Sequence, residues 1–303
     1  MSDFSRRAFF ARAAQVAVGV AGLLAGCSAP AATTPTTGPT SASTTPPKPV
    51  STATAPGVAI APATAATSVS PATAVPSTAA AAPKATASAS GGPPAQLAVV
   101  RGDKPAAITR AAVEALGGIG QFVLPGQRVL VKPNICTSRA PEYAATTNPE
   151  VVATVVALCL EAGAAKVVVM DQGFSGANTS YRVSGIEAAV KAAGGEMEVY
   201  SRLKLKKTPI PQGKDIKSWS IYEDALTYDV LINVPIGKSH DVADLTLGMK
   251  NLMGLIDDRG GFHGNIGQRL ADLGTVIRPK LIIVDAVRIL VRNGPTGGNL
   301  RDV

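Results

Sequence analysis

No phenylalanine, tyrosine or tryptophan occurs between Phe10 and Phe122. A stretch that long without an aromatic ring lacks the side chains that bury most area in a core. Its middle, residues 28–95, is almost entirely Ala, Thr, Pro, Ser, Gly and Val, and 13 of the chain's 23 prolines lie there. Such a composition buries too little apolar surface to offset the entropy of ordering, so it predicts a disordered tether, extended where proline is dense. The 46% hydrophobic content is therefore inflated by alanine. Setting aside 95 of 303 residues leaves 208, enough for one sizeable domain. Collagen, a coiled coil, a disulfide-dense scaffold and a multi-span membrane protein are all disfavoured.

The net charge of +8 divides evenly. Residues 1–95 carry Arg6, Arg7, Arg12, Lys48 and Lys84 against Asp3, giving +4; the remaining 24 basic and 20 acidic residues also give +4. A mildly basic domain without a clustered basic face gives little ground for nucleic-acid binding, and none is expected. The one local cluster, Arg202, Lys204, Lys206 and Lys207, reads as the exposed side of an edge strand, where lysines discourage aggregation.

The first residues read as an address. Arg6-Arg7 precedes an apolar run, Ala13 to Ala25, too short to span a bilayer as a mature helix. The segment resembles a twin-arginine export signal, with an ordinary secretory signal as the alternative. Leu24-Ala25-Gly26-Cys27 resembles the lipobox of bacterial lipoproteins, which implies a lipidated Cys27. The expected organisation is a signal over 1–26, a lipidated cysteine and tether over 27–95, and an α/β domain over 96–303. The protein would be exported and held by acyl chains on the outer side of the cytoplasmic membrane, or its periplasmic face.

From Leu97 onward, short apolar runs alternate with helical patterns. Strands are predicted at Leu97–Arg101, Arg128–Lys132, Lys166–Asp171, Glu198–Tyr200, Val230–Pro235 and Leu281–Asp285. Helices are predicted at Ala106–Leu116, at Pro149 onward with Asn148 as N-cap, around Val183–Ala193, near Leu245–Leu252 and at Ile266–Val276. Lys204–Ile210 and Ser218–Tyr222 read as a short β excursion. Strands apolar throughout argue for a mostly parallel, doubly wound sheet covered on both faces. Strand order does not follow from the pattern.

Ligands of open parallel sheets bind outside the carboxyl ends of the strands. Four strands end in polar groups: Lys132-Pro133-Asn134, Asp171, the run from Asn233 to His240, and Asp285. Asp171, His240 and Asp285 suit a divalent metal, while each aspartate serves equally well as a cap. His240, Lys238 and Lys250 are the candidate catalytic groups, with His240 as base or metal ligand. Lys132, Lys238 and Lys250 suit a phosphate or carboxylate, and Asn134 and Asn251 suit an oxyanion. His263 sits in the same loop region as His240. Cys159 lies on an apolar helix stripe and reads as core; Cys136 lies in a loop. Gly173–Asn178 is a weak anion-cradle pattern.

Several of these segments carry a resemblance. Val-Lys-Pro-Asn (131–134), Thr-Asn-Pro-Glu-Val-Val (147–152), Ala-Gly-Ala-Ala-Lys-Val (162–167), Asn-Val-Pro-Ile-Gly-Lys-Ser-His (233–240), Leu-Thr-Leu-Gly-Met-Lys-Asn-Leu-Met-Gly (245–254) and Val-Asp-Ala (284–286) are similar to motifs of the domain of unknown function 362 family. The resemblance implies no particular activity. Some members carry ferredoxin-like iron–sulfur segments; with three cysteines in all, one of them in the lipobox, an iron–sulfur cluster is not expected here. The family pattern continues past Asn-Gly-Pro-x-Gly-Gly (293–298), so a truncated and inactive member is one reading. The others are an enzyme acting on a small anionic substrate, with or without a divalent metal, and a solute-binding lipoprotein without catalysis.

Overall fold

The computed structural model of the chain describes residues 96–303. The expected signal, Cys27 and the tether lie outside the described residues. In chain order come α1 (Pro105–Ala115), β1 (Arg128–Pro133), α2 (Pro149–Glu161) and β2 (Lys166–Val169). Then follow α3 (Ala177–Val183), α4 (Ile186–Ala192), β3 (Glu196–Met197), β4 (Leu205–Pro209), β5 (Ser218–Tyr222) and α5 (Asp224–Thr227). The last part holds β6 (Val230–Val234), β7 (Ile236–His240), β8 (Asp244–Thr246), the single turns α6 (Gly248–Asn251) and α7 (Arg259–Phe262), α8 (Ile266–Leu273), β9 (Leu281–Ile282) and β10 (Asp285–Leu290).

The central sheet is parallel, with strand order β3-β2-β1-β6-β9. Alternation along each strand explains why the runs are apolar throughout. Val129, Val131, Val167, Val169, Val230 and Ile232 face a layer with Val152, Val155 and Val156 of α2 and Ile186 and Val190 of α4. Leu130, Val168 and Leu231 face the other layer, with Tyr222, Leu255, Phe262 and Leu273. Helix α2 starts as its sequence predicts: the Asn148 side chain accepts from the Glu150 N–H, and Pro149 occupies the first turn.

The same alternation places chemistry. Lys132 and Asn233 are direct partners across β1 and β6, and both share the parity of Leu130 and Leu231. Two polar side chains therefore enter one apolar layer side by side at the carboxyl edge. The chain runs from β1 outward to β2 and β3, then returns to β6 and β9 on the other side. The β1–β6 boundary is thus the topological switch point, where open α/β sheets take their ligands. Beyond β6 the chain passes through Pro235 into β7, which pairs parallel with β10 and antiparallel with β8 in a second small sheet.

Several elements differ from the expected ones. Leu97–Arg101 joins no sheet, and Leu97 and Val99 are exposed. Glu198–Tyr200 is not a strand: pairing stops at Met197, and Tyr200 turns away to stack on Tyr222 at 5.3 Å. The single helix expected around Val183–Ala193 is two, broken at Gly185, whose φ of 75° is left-handed. Leu245 and Thr246 belong to β8, so the helix begins only at Gly248. The basic cluster is divided: Lys206 and Lys207 are exposed on β4, whereas Lys204 pairs with Glu198 and Asp224, each at 2.8 Å. No helix among the described residues is long and apolar enough to cross a membrane.

Candidate functional site

Lys132 is 1% exposed at the end of β1. Its ammonium lies 2.7 Å from Asp171 Oδ1, and it donates to the Pro133 carbonyl at 2.9 Å and to Asn251 Oδ1 at 3.0 Å. The contact with Asp171 is off the axis of a hydrogen bond but well within the reach of an ion pair. Burial pulls the Lys132 ammonium below its usual range, against the opposing pull of Asp171. The second Asp171 oxygen accepts the Ile135 N–H at 2.6 Å. Gly254 closes over this pair; a Cβ there would overlap Asp171 and stand 2.7 Å from Lys132 Nζ, so only glycine fits.

Asn251 ties the edge together. Its Oδ1 accepts from Lys132 and from Asn134 Nδ2 at 2.9 Å, and its Nδ2 donates to the Lys132 carbonyl at 3.2 Å and to Asn233 Oδ1 at 2.8 Å. Asn134 Oδ1 in turn accepts from Lys238 Nζ at 3.0 Å. Lys238, 1% exposed on β7, also donates to the Ala145 carbonyl at 2.5 Å and to Cys136 Sγ at 3.1 Å. Three acceptors around one nitrogen match the three N–H bonds of an ammonium.

These groups wall a cavity of about 70 Å³ that is also lined by His240, Thr246, Lys250, Arg259 and His263. The ion pairs of the described residues leave Lys238, Lys250 and Arg259 without a carboxylate. Four cations thus surround the cavity against the single carboxylate of Asp171. Thr246 faces Lys238 across the β7–β8 pair, and its buried hydroxyl has no hydrogen-bond partner. Arg259 lies 4.0 Å from the ring centroid of the exposed Phe174 and donates to the Gln172 carbonyl at 3.0 Å. It is positioned by Asp258, whose carboxylate caps α7 by accepting the Gly261 N–H.

The two histidines have defined tautomers. His240 Nδ1 accepts from the backbone N–H groups of Val242 at 3.0 Å and Ala243 at 3.2 Å, so its proton sits on Nε2. Burial, and then the charge of Lys250, lower His240 to about 4. The nearby Asp241 Oδ1, 3.0 Å from Nδ1, is therefore not an ion-pair partner near neutral pH. His263 Nδ1 donates to the Arg259 carbonyl at 2.5 Å, which leaves Nε2 to accept from Lys250 Nζ at 3.3 Å. The rings stack at 6.0 Å. Burial, followed by repulsion from Lys238 and Arg259, lowers Lys250 to about 8.

Lys132, Asn134, Asp171, Lys238, His240, Lys250 and Asn251 therefore line one cavity. Asp285 does not join them. The chain leaves the central sheet at Ile282, so Asp285 opens β10 instead of closing β9. Its carboxylate accepts the N–H groups of Asn148 at 2.7 Å and Val287 at 3.0 Å, and burial raises its pKa. Asp171, His240 and Asp285, the expected metal set, are not brought together: among the described residues no three His, Cys, Asp or Glu gather around a metal position. Asn134 and Asn251 are joined to their neighbours and brace the lysines. Arg259, Thr246 and Cys136 are cavity residues that motif reasoning did not place. For Arg259, the signal was a cation four residues before His263 in the same loop. Cys159 is buried in the core, and burial raises its thiol to about 12.

Comparison with known proteins places these features in a wider set. A thylakoid-associated protein of Synechocystis sp. is 32% identical over 209 residues, which cover 64% of this chain and 62% of that relative's length. Residues 129–303, which hold every cavity residue named above, match the family described as domain of unknown function (DUF362). The chain belongs to that family.

Proposed function

We propose that the domain is an enzyme acting on a small anionic substrate, bound at the carboxyl edge of the sheet. The observation that carries this reading is the excess of buried (Lys132, Lys238) and half-buried (Lys250, Arg259) cations over carboxylate around a cavity at the switch point. An uncompensated buried cation is costly, and a bound anion relieves that cost. Arg259, the Lys250 ammonium and the free Thr246 hydroxyl bind the anion, in the field of the Lys238 charge. Lys250, with a pKa near 8, moves a proton at working pH, and the neutral His240 presents its Nε2–H. Lys132 and Asp171 hold the wall in place.

The test is a calorimetric titration with oxalate and acetate, whose charges do not change above pH 6. Saturable binding is expected, with the association constant falling up to about tenfold per pH unit above pH 8 as Lys250 loses its proton. Binding that is absent, or flat from pH 7 to 10, sinks the reading. Binding without any turnover across a panel of small acids favours a solute-binding protein instead.

We further propose that Cys27 anchors this domain to a membrane on the exported side. The lipobox pattern supports this, as does the description of a 32% identical relative as thylakoid-associated. Cys27→Ser should move the protein from the membrane fraction to the soluble fraction after export. An unchanged distribution would refute the anchor.

A further inference from the structure

We infer that Lys250 is a nucleophile that forms a Schiff base with a small 2-oxo acid, its Nζ bonding to the carbonyl carbon while Arg259 and Thr246 hold the carboxylate beside the Lys238 charge. This deepens the anion-site reading and rests on it. Lys250 lines the cavity, lacks a carboxylate partner and stands among other cations. A lysine next to cationic groups is the recognised setting for an amine that attacks carbonyls. Its one side-chain partner is an acceptor, His263 Nε2, held in that role because Nδ1 is committed to the Arg259 carbonyl.

The step balances within these groups. The Lys250 ammonium gives a proton to His263 Nε2, and the amine lone pair forms the C–N bond. The carbonyl π pair moves to oxygen, which takes the proton back from the His263 imidazolium while His240 Nε2–H donates a hydrogen bond to it. His263 Nε2 then takes one proton from the carbinolamine nitrogen and passes it to the hydroxyl, which leaves as water as the freed nitrogen lone pair forms C=N. One ammonium and one carbonyl become one protonated Schiff base and one water, with no oxidant or reductant. The two imidazoles recover their starting protonation.

The carboxylate half of the ligand is read from Thr246. Its hydroxyl is buried, unpartnered, and beside Lys238 in register. A buried hydroxyl without a partner is a donor waiting for an acceptor. The cavity of about 70 Å³ has room for a group the size of a carboxylate.

The experiment treats the full chain with pyruvate and cyanoborohydride, then maps carboxyethyl-lysine by peptide mass spectrometry. Lys250 should be labelled at least about tenfold faster than the exposed Lys207 on β4, and oxalate should block it. Acetone, a ketone without the carboxylate, should not show that preference. Lys250→Arg, which keeps the charge but not the nucleophilic amine, should lose the adduct. If Lys250 labels no faster than Lys207 while oxalate still binds, the covalent inference fails and the anion site stands. If oxalate does not bind either, both fail.

Discussion

Asp171→Ala is expected to destabilise the domain by about 3–5 kcal/mol. The substitution leaves the Lys132 ammonium buried beside Gly254 with no anion, and strips the Ile135 N–H of its acceptor. Neither group reaches water: Lys132 is 1% exposed. In urea the midpoint should fall by about 1–2 M, given slopes near the upper end of the usual ~1–3 kcal/mol/M for a domain of this size. Lys132→Met combined with Asp171→Leu should recover much of the loss, because removing both charges also removes their desolvation. A single variant as stable as the parent would mean that water enters the edge, and would undo the description of a dry ion pair.

Lys250→Met carries the opposite sign. Its folded pKa near 8 lies below the unfolded value near 10.4, so below pH 8 the folded state bears the full cost of holding the charge. Between pH 8 and about 10.4 the unfolded state binds more protons, and parent stability rises with pH. The methionine variant should therefore exceed the parent by about 1–3 kcal/mol at pH 7, with the margin closing toward pH 10. The same variant should bind oxalate at least about tenfold more weakly. Thermal unfolding at the two pH values, paired with calorimetry, reads both effects. A variant less stable than the parent at pH 7 would show that Lys250 stabilises the empty domain, against the account given above.

Much of the architecture was legible because burial on both sheet faces makes β1, β2 and β6 continuous apolar runs. Polar residues within or just beyond such runs were conspicuous, which is why Lys132, Asn134 and Lys238 stood out, whereas Asn251 stood out through its motif. What stayed hidden depends on distant pairing. Strand order joins β1 to β6 across about a hundred residues of sequence, and no local pattern encodes that. Thr246 gains significance only through its register with Lys238. Arg259 reaches the cavity because a left-handed Asp258 turns the chain into α7. Asp285 misled because an apolar run closed by an acid looks alike whether the acid ends one strand or begins the next.

The four hydrogen bonds of Asn251 have a dynamic consequence. Both of its amide hydrogens and both directions of its oxygen are taken, by Lys132, Asn134, Asn233 and the Lys132 carbonyl. Rotating that amide by half a turn would set donor against donor and acceptor against acceptor at every position, so it has one orientation. Asn134 inherits its orientation from Asn251, and Lys238 finds one of its acceptors already aimed. The electric field in the cavity is therefore set before any ligand arrives. An anion entering it would meet dipoles that need no reorientation.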